Sequence, residues 1–270
     1  MLKQRIITAV ILIPVMLGIL FYLSAPWFLI VTGLISLGAA WEWSNLMQVR
    51  SFAGRLLYVL IAAAAFVSAM FIPVTLIFAA AFVWWLLALF LVLCYPLCSQ
   101  WWGGSVFARG LMGILTLLPC WAAVNYIRSQ AQGLYSLLFL FVLIWGADSA
   151  AYFSGKKWGK TKLAPLVSPG KSWQGVWAAQ VCSVLIALLT LWICQIRYAV
   201  WPWALLLSLV TVMFSIVGDL FESMMKRQAG LKDSGRLLPG HGGLLDRIDS
   251  LTAAAPVFVL GGILLGSYLN

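Results

Sequence analysis

The chain has 270 residues, 64% of them hydrophobic and only 9% charged, with a formal net charge of +10. Soluble domains run at roughly 45–50% apolar and about 25% charged, which excludes a water-soluble enzyme, a disordered chain, a coiled coil and a collagen-like rod. Fifteen Trp and fifteen Phe suit the aromatic belts of a lipid–water boundary, so an all-α, polytopic integral membrane bundle is expected.

A spanning helix needs about 20 apolar residues. Nine such runs follow one another at residues 6–23, 27–47, 56–72, 74–96, 107–127, 134–153, 173–196, 201–225 and 244–269. The first follows Lys3 and Arg5 like a signal peptide. It is long for one and has no small-x-small cleavage site, so it reads as an uncleaved helix. Only Pro73 separates the third run from the fourth. With nine spans and a cytoplasmic N-terminus, only Arg128 and Arg197 of the 17 cations fall on the far side, as the positive-inside rule requires. That distribution accounts for the basic charge without nucleic acid as a partner. The expected site therefore faces the cytoplasm. Five cysteines lie in or beside apolar runs without a zinc-type spacing.

Two connections, 154–172 and 226–243, are longer than the rest and lie on the expected cytoplasmic side. Long loops carry function disproportionately. The chain accordingly divides into residues 1–130, with about five spans, and residues 131–270, a membrane domain holding both loops and the chemistry.

Six of the seven acidic residues lie between Asp148 and Asp249. Asp219 and Glu222 share a helical face at i, i+3, with Ser223 adjacent, and Asp246 and Asp249 repeat the spacing at the start of the last span. Ionisable groups at membrane depth are costly and usually functional. Carboxylates converging with few imidazoles suit a hard cation such as magnesium, so Asp219, Asp246 and Asp249 are expected metal ligands, with Asp148 a fourth. Glu222 reaches Lys226 at i+4, and Glu42 reads as structural pairing or an oligomer contact.

The first long loop carries five lysines, glycines at Gly155 and Gly159, and Ser168-Pro169-Gly170-Lys171-Ser172. Exposed amides with ammonium groups suit phosphate binding. Its likeness to a Walker A loop fails, because three residues rather than four separate the glycines and no strand precedes it. The second stretch gathers Ser223, Lys226, Arg227, Lys232, Asp233, His241, Gly242, Gly243, Asp246, Arg247 and Asp249. His241, the only histidine, sits between glycines beside a carboxylate pair, where it can contact a ligand. Gly262 and Gly266 form a Gly-x-x-x-Gly pair, which is compatible with a homodimer.

Those eleven residues over 27 positions resemble the signature of the phosphatidate cytidylyltransferases, or CDP-diacylglycerol synthases. A second similar block runs from Asp148 to Phe153 and from Ser168 to Gly175, with Ser172 where many relatives have Thr and Gln174 where many have Glu. The resemblance implies transfer of the cytidylyl group of CTP to phosphatidic acid, giving CDP-diacylglycerol and pyrophosphate. It also implies Mg2+ as one or two divalent or mixed cations. The expected catalytic group is Asp219, Asp246, Asp249, His241, Lys226 and Arg227. Lys171, Ser172, Ser223, Lys232, Asp233, Arg247, Gly242 and Gly243 are expected to contact substrate or support the loop. The partners it implies are CTP, phosphatidic acid and membrane lipid. Three rivals remain: a transporter, which normally shows repeated halves; a CDP-alcohol phosphotransferase, whose Asp-Gly motif is missing here; and a cytidylyltransferase for another lipid phosphate.

Overall fold

The computed structural model describes residues 13–235, 237 and 242–269. The beginning of the first expected span, Arg236 and His241 lie outside the described residues. The apolar runs form α1 (Ile13–Tyr22), α2 (Ala25–Leu46), α3 (Phe52–Ala69), α4 (Val74–Leu93), the short α5 (Ser99–Trp102), α6 (Val106–Ser129), α7 (Gly133–Trp158), α8 (Trp173–Ile193), α9 (Trp201–Gln228) and α10 (Asp249–Leu269). Among the described residues, α2–α4 and α6–α10 make eight helices long and apolar enough to cross a membrane, and α1 is shorter. The protein is an all-α polytopic membrane bundle.

Several helix starts are written locally. Ser51, Ser105 and Ser172 accept the backbone N–H of Gly54, Ala108 and Gly175 and so cap α3, α6 and α8, satisfying donors a helix leaves open. α9 packs on α8 and α10, α8 on α7, α2 on α3 and α6, and α10 on α4 and α6 as well. Helices of the first 130 residues therefore interleave with those that carry the acidic residues. The connections after α2, α7 and α9 meet at one end of the bundle. Gln48 donates to the Ala229 carbonyl at 3.4 Å, Asn45 to Ser234 at 2.9 Å, and Arg227 Nε to Val167 at 3.2 Å.

The structure redraws both long loops and the last span. α7 continues to Trp158, and an antiparallel hairpin, β1 (Lys162–Ala164) with β2 (Ser168–Ser172), fills the connection. α9 continues to Gln228. The run 244–269 is not one helix, since Leu245–Arg247 is a separate 3-10 turn and α10 begins at Asp249. The N–H groups of Gly243 and Leu245 are claimed by the carboxylates of Asp246 and Glu42, and Gly242 takes a left-handed φ of 81°. Asp246 and Asp249 consequently do not share a helical face. The run 74–96 likewise stops at Leu93, ahead of a cis Tyr95–Pro96 bond.

Candidate active site

Aromatic packing fixes how α9 presents its polar residues. Phe221 is fully buried against Trp84, Trp85 and Trp43, with ring centroids 5.4, 5.8 and 6.2 Å away. One residue on, Glu222 is also buried, and Lys226 lies a turn beyond it. Lys226 Nζ donates to Glu222 Oε1 at 3.0 Å and to Asp246 Oδ1 at 2.6 Å. A buried ammonium between two carboxylates is tolerable because it is paired on both sides.

Asp246 is held by four groups. Its Oδ1 faces Lys226, and its Oδ2 accepts from Gly243 N–H at 2.7 Å and from Ser234 N–H and Oγ at 3.0 Å each. Burial alone would push this carboxyl up. The Lys226 ammonium and the two backbone donors outweigh it and hold the carboxyl below the usual carboxylate range.

A second group stands beside the first. Lys171, at the end of β2, forms an ion pair with Asp219 Oδ2 at 2.5 Å, and Ser223 Oγ donates to Asp219 Oδ1 at 3.3 Å. α9 comes so close to α10 at Gly218 that a Cβ there would meet the Asp249 carbonyl oxygen. This approach sets Asp219 and Asp249 within electrostatic reach of each other. Asp148 of α7 also feels Asp219, and its Oδ2 accepts from Ser250 Oγ at 3.3 Å. Among the described residues no three His, Cys, Asp or Glu side chains stand close enough together to hold a metal ion. The donors of Asp148, Asp219 and Asp249 are nonetheless all hard oxygens, the set a magnesium ion takes. The cation now lying on one of them is the Lys171 ammonium.

A family model described as the cytidylyltransferase family matches residues 3–263. The chain belongs to the cytidylyltransferase family. It is 47% identical over 261 residues to the phosphatidate cytidylyltransferase of Pseudomonas aeruginosa, covering 96% of each chain. It is 38% identical over 280 residues to that of Haemophilus influenzae, covering 96% of this chain and 97% of the other. A Brucella suis protein of the same name is 46% identical over 131 residues, 48% of this chain.

Seen against this family, most of the described residues singled out from sequence fall into two connected groups, an exposed set and two side chains with local duties. Asp246, Lys226 and Gly243 form one connected group; Lys171, Asp219, Ser223, Asp249 and Asp148 form the other. Lys232, Asp233 and Arg247 are exposed, and Lys232 and Asp233 line a cavity of about 890 Å³ together with Glu42, Asn45, Arg50 and Arg55. Ser172 and Arg227 have local duties. Ser172 caps α8, and Arg227 Nε holds the hairpin at Val167. Gln174 accepts from Thr161 N–H at 3.3 Å and closes the base of the hairpin.

Glu42, expected from sequence to be structural pairing or an oligomer contact, pairs within the chain, though its partners were not legible in the sequence. From α2 its Oε2 accepts from Ser234 Oγ at 3.1 Å and from Leu245 N–H at 2.9 Å. The signal available was a lone acid in an otherwise apolar run.

Proposed function

We infer that the chain transfers the cytidylyl group of CTP to phosphatidic acid, giving CDP-diacylglycerol and pyrophosphate in phospholipid biosynthesis. Membership of the family and identity along nearly the whole length to two proteins of that name support this. The observation that carries it is the pair of lysine–aspartate contacts, Lys171–Asp219 and Lys226–Asp246, at the end of the bundle where the two long connections meet. Fixed positive groups at a membrane surface are what two anionic substrates need.

In the reaction a phosphate oxygen of phosphatidic acid attacks the α-phosphorus of CTP. The new P–O bond forms as the bond to the β-phosphate bridging oxygen breaks, and that oxygen leaves on pyrophosphate. The attacking phosphate is already ionised, so no strong base is required. Lys171, Lys232 and Arg247 would bind phosphates, and Lys226, held by Glu222 and Asp246, would stabilise the charge that builds on the leaving group. Asp219, Asp249 and Asp148 would supply hard oxygens to a divalent cation only by drawing closer together as the ion displaced the Lys171 ammonium. Such an ion supplies charge neutralisation and polarises phosphoryl oxygens. Asp246 spends its oxygens on protein donors and serves as the anchor of Lys226. Arg227 and Ser172 would keep the hairpin in place, with Gly242, Gly243 and Asp233 shaping the second loop and Ser223, on α9, steadying Asp219. His241 would orient or protonate a phosphate oxygen.

CTP is soluble and phosphatidic acid lies in the leaflet, so a site at the loop end, facing the cytoplasm from the bacterial inner membrane, meets both. Gly262 and Gly266 have open space where a Cβ would stand, which leaves that face of α10 available to a second copy. The test is purified protein with magnesium, CTP and phosphatidic acid, scored for pyrophosphate and lipid-linked cytidine. Both signals should stop when the lipid is omitted, and CTP consumption without it would overturn the acceptor.

A further inference from the structure

Glu42 is the one acidic residue outside the Asp148–Asp249 stretch. It is 3% exposed, and its Oε1 is buried with no hydrogen-bond partner among the described residues. Its Oε2 accepts from Ser234 Oγ and from Leu245 N–H, 192 and 203 residues away, so one carboxylate grips both arms of the segment between α9 and α10. Asn45, three residues along the same helix, donates to the Ser234 carbonyl at 2.9 Å. The arms are shaped around this acid. A Cβ on Gly235 would collide with Glu42 Oε1, and one on Gly243 with Glu42 Oε2 and Ser234 Oγ.

The grip reaches the Lys226 group by two routes. Leu245 opens the 3-10 turn that carries Asp246 and Arg247, so fixing its N–H fixes the start of that turn. Ser234 Oγ lies 3.1 Å from Glu42 Oε2 and 3.0 Å from Asp246 Oδ2, yet it has a single proton to donate. The two carboxylates therefore share one hydroxyl, and moving either changes what the other is offered. A buried carboxylate oxygen left without a donor costs about 1–3 kcal/mol or more. A carboxamide or an apolar side chain would fill the same space in α2 without burying a charge.

We propose that Glu42 is a positioning residue for cytidylyl transfer: it clamps both arms of the segment so that Asp246 holds Lys226 in register with the phosphates. This rests on the reaction inferred above. A residue that only fills the core would set how much protein folds, not how fast folded protein turns over.

The test uses the full chain purified in detergent, with only the monodisperse fraction assayed and kcat and KM measured for CTP and phosphatidic acid. Glu42→Ala should lower kcat by about 100-fold while both KM values stay near those of the native chain, as expected for misplacement of reacting groups. Glu42→Gln keeps an acceptor for Leu245 N–H and Ser234 Oγ and should recover most of that loss. Gly235→Ala should reproduce the kcat defect by displacing the carboxylate. In the double variant Glu42→Ala/Gly235→Ala the added methyl should cost nothing further, because the group it strikes is gone. A native kcat in folded Glu42→Ala, or fully additive losses in the double variant, overturns the proposal. If Glu42→Ala does not fold, Gly235→Ala decides alone: lowered kcat at unchanged KM supports the clamp, and native kcat removes it. A native chain inactive toward phosphatidic acid would instead overturn the assigned reaction.

Discussion

Lys226 and Asp246 show why the charge of a residue and its environment must be read together. An ammonium with 11% of its side chain exposed, seated between Glu222 and Asp246, is not a free phosphate-binding group. Its position is set first, and its field acts from there. Asp246→Asn leaves the Gly243 N–H an acceptor but removes the charge opposite Lys226. Cytidylyl transfer should fall at least about 100-fold, with the protein still present in the membrane, as radiolabelled CTP incorporation and membrane immunoblotting would read. The pH dependence follows from the depressed titration of Asp246. Its contribution to stability is complete above the ordinary carboxylate value of about 3.9 and is lost as pH falls through the lower folded value. The gap in thermal midpoint between the native chain and Asp246→Asn should therefore match at about pH 7 and pH 5.5 and narrow only near pH 3.5 and below.

Helix ends and helix crossings place these groups. Ser172 joins β2 to α8 and caps that helix, which also fixes the neighbouring Lys171 near Asp219. Ser172→Ala should cost about 1 kcal/mol of stability, seen as a lower unfolding midpoint in detergent, and raise KM by loosening Lys171. α9 and α10 meet at Gly218, where a Cβ would strike the Asp249 carbonyl. Gly218→Ala should separate Asp219 from Asp249 and destabilise the protein by about 1–3 kcal/mol, lowering activity more than the midpoint shift alone explains. Helix type and approximate position were legible from run length, because a span must keep its backbone bonded internally. The hairpin and the break at 244–248 were not. Both depend on side chains from other elements taking backbone donors, such as Glu42 on Leu245 and Gln174 on Thr161.

Across the whole molecule, the described connections after α2, α7 and α9 bring cations to one end of the bundle, while Arg128 lies in the last turn of α6 and Arg197 follows α8 at the far ends of those helices. Single cysteines at Lys160 and Arg197, in a chain freed of its five native cysteines, should label from opposite faces of sealed membranes with an impermeant maleimide. Labelling of both from one side would overturn the arrangement. The sequence by itself determined membrane residence and the helical architecture, since apolar length and charge asymmetry are properties of the chain alone. Tertiary structure decided which acid keeps company with which base. Asp219 went to Lys171, Asp246 to Lys226 and Glu42 to Ser234 and Leu245, because those pairings arise only when separate elements pack at one end of the bundle.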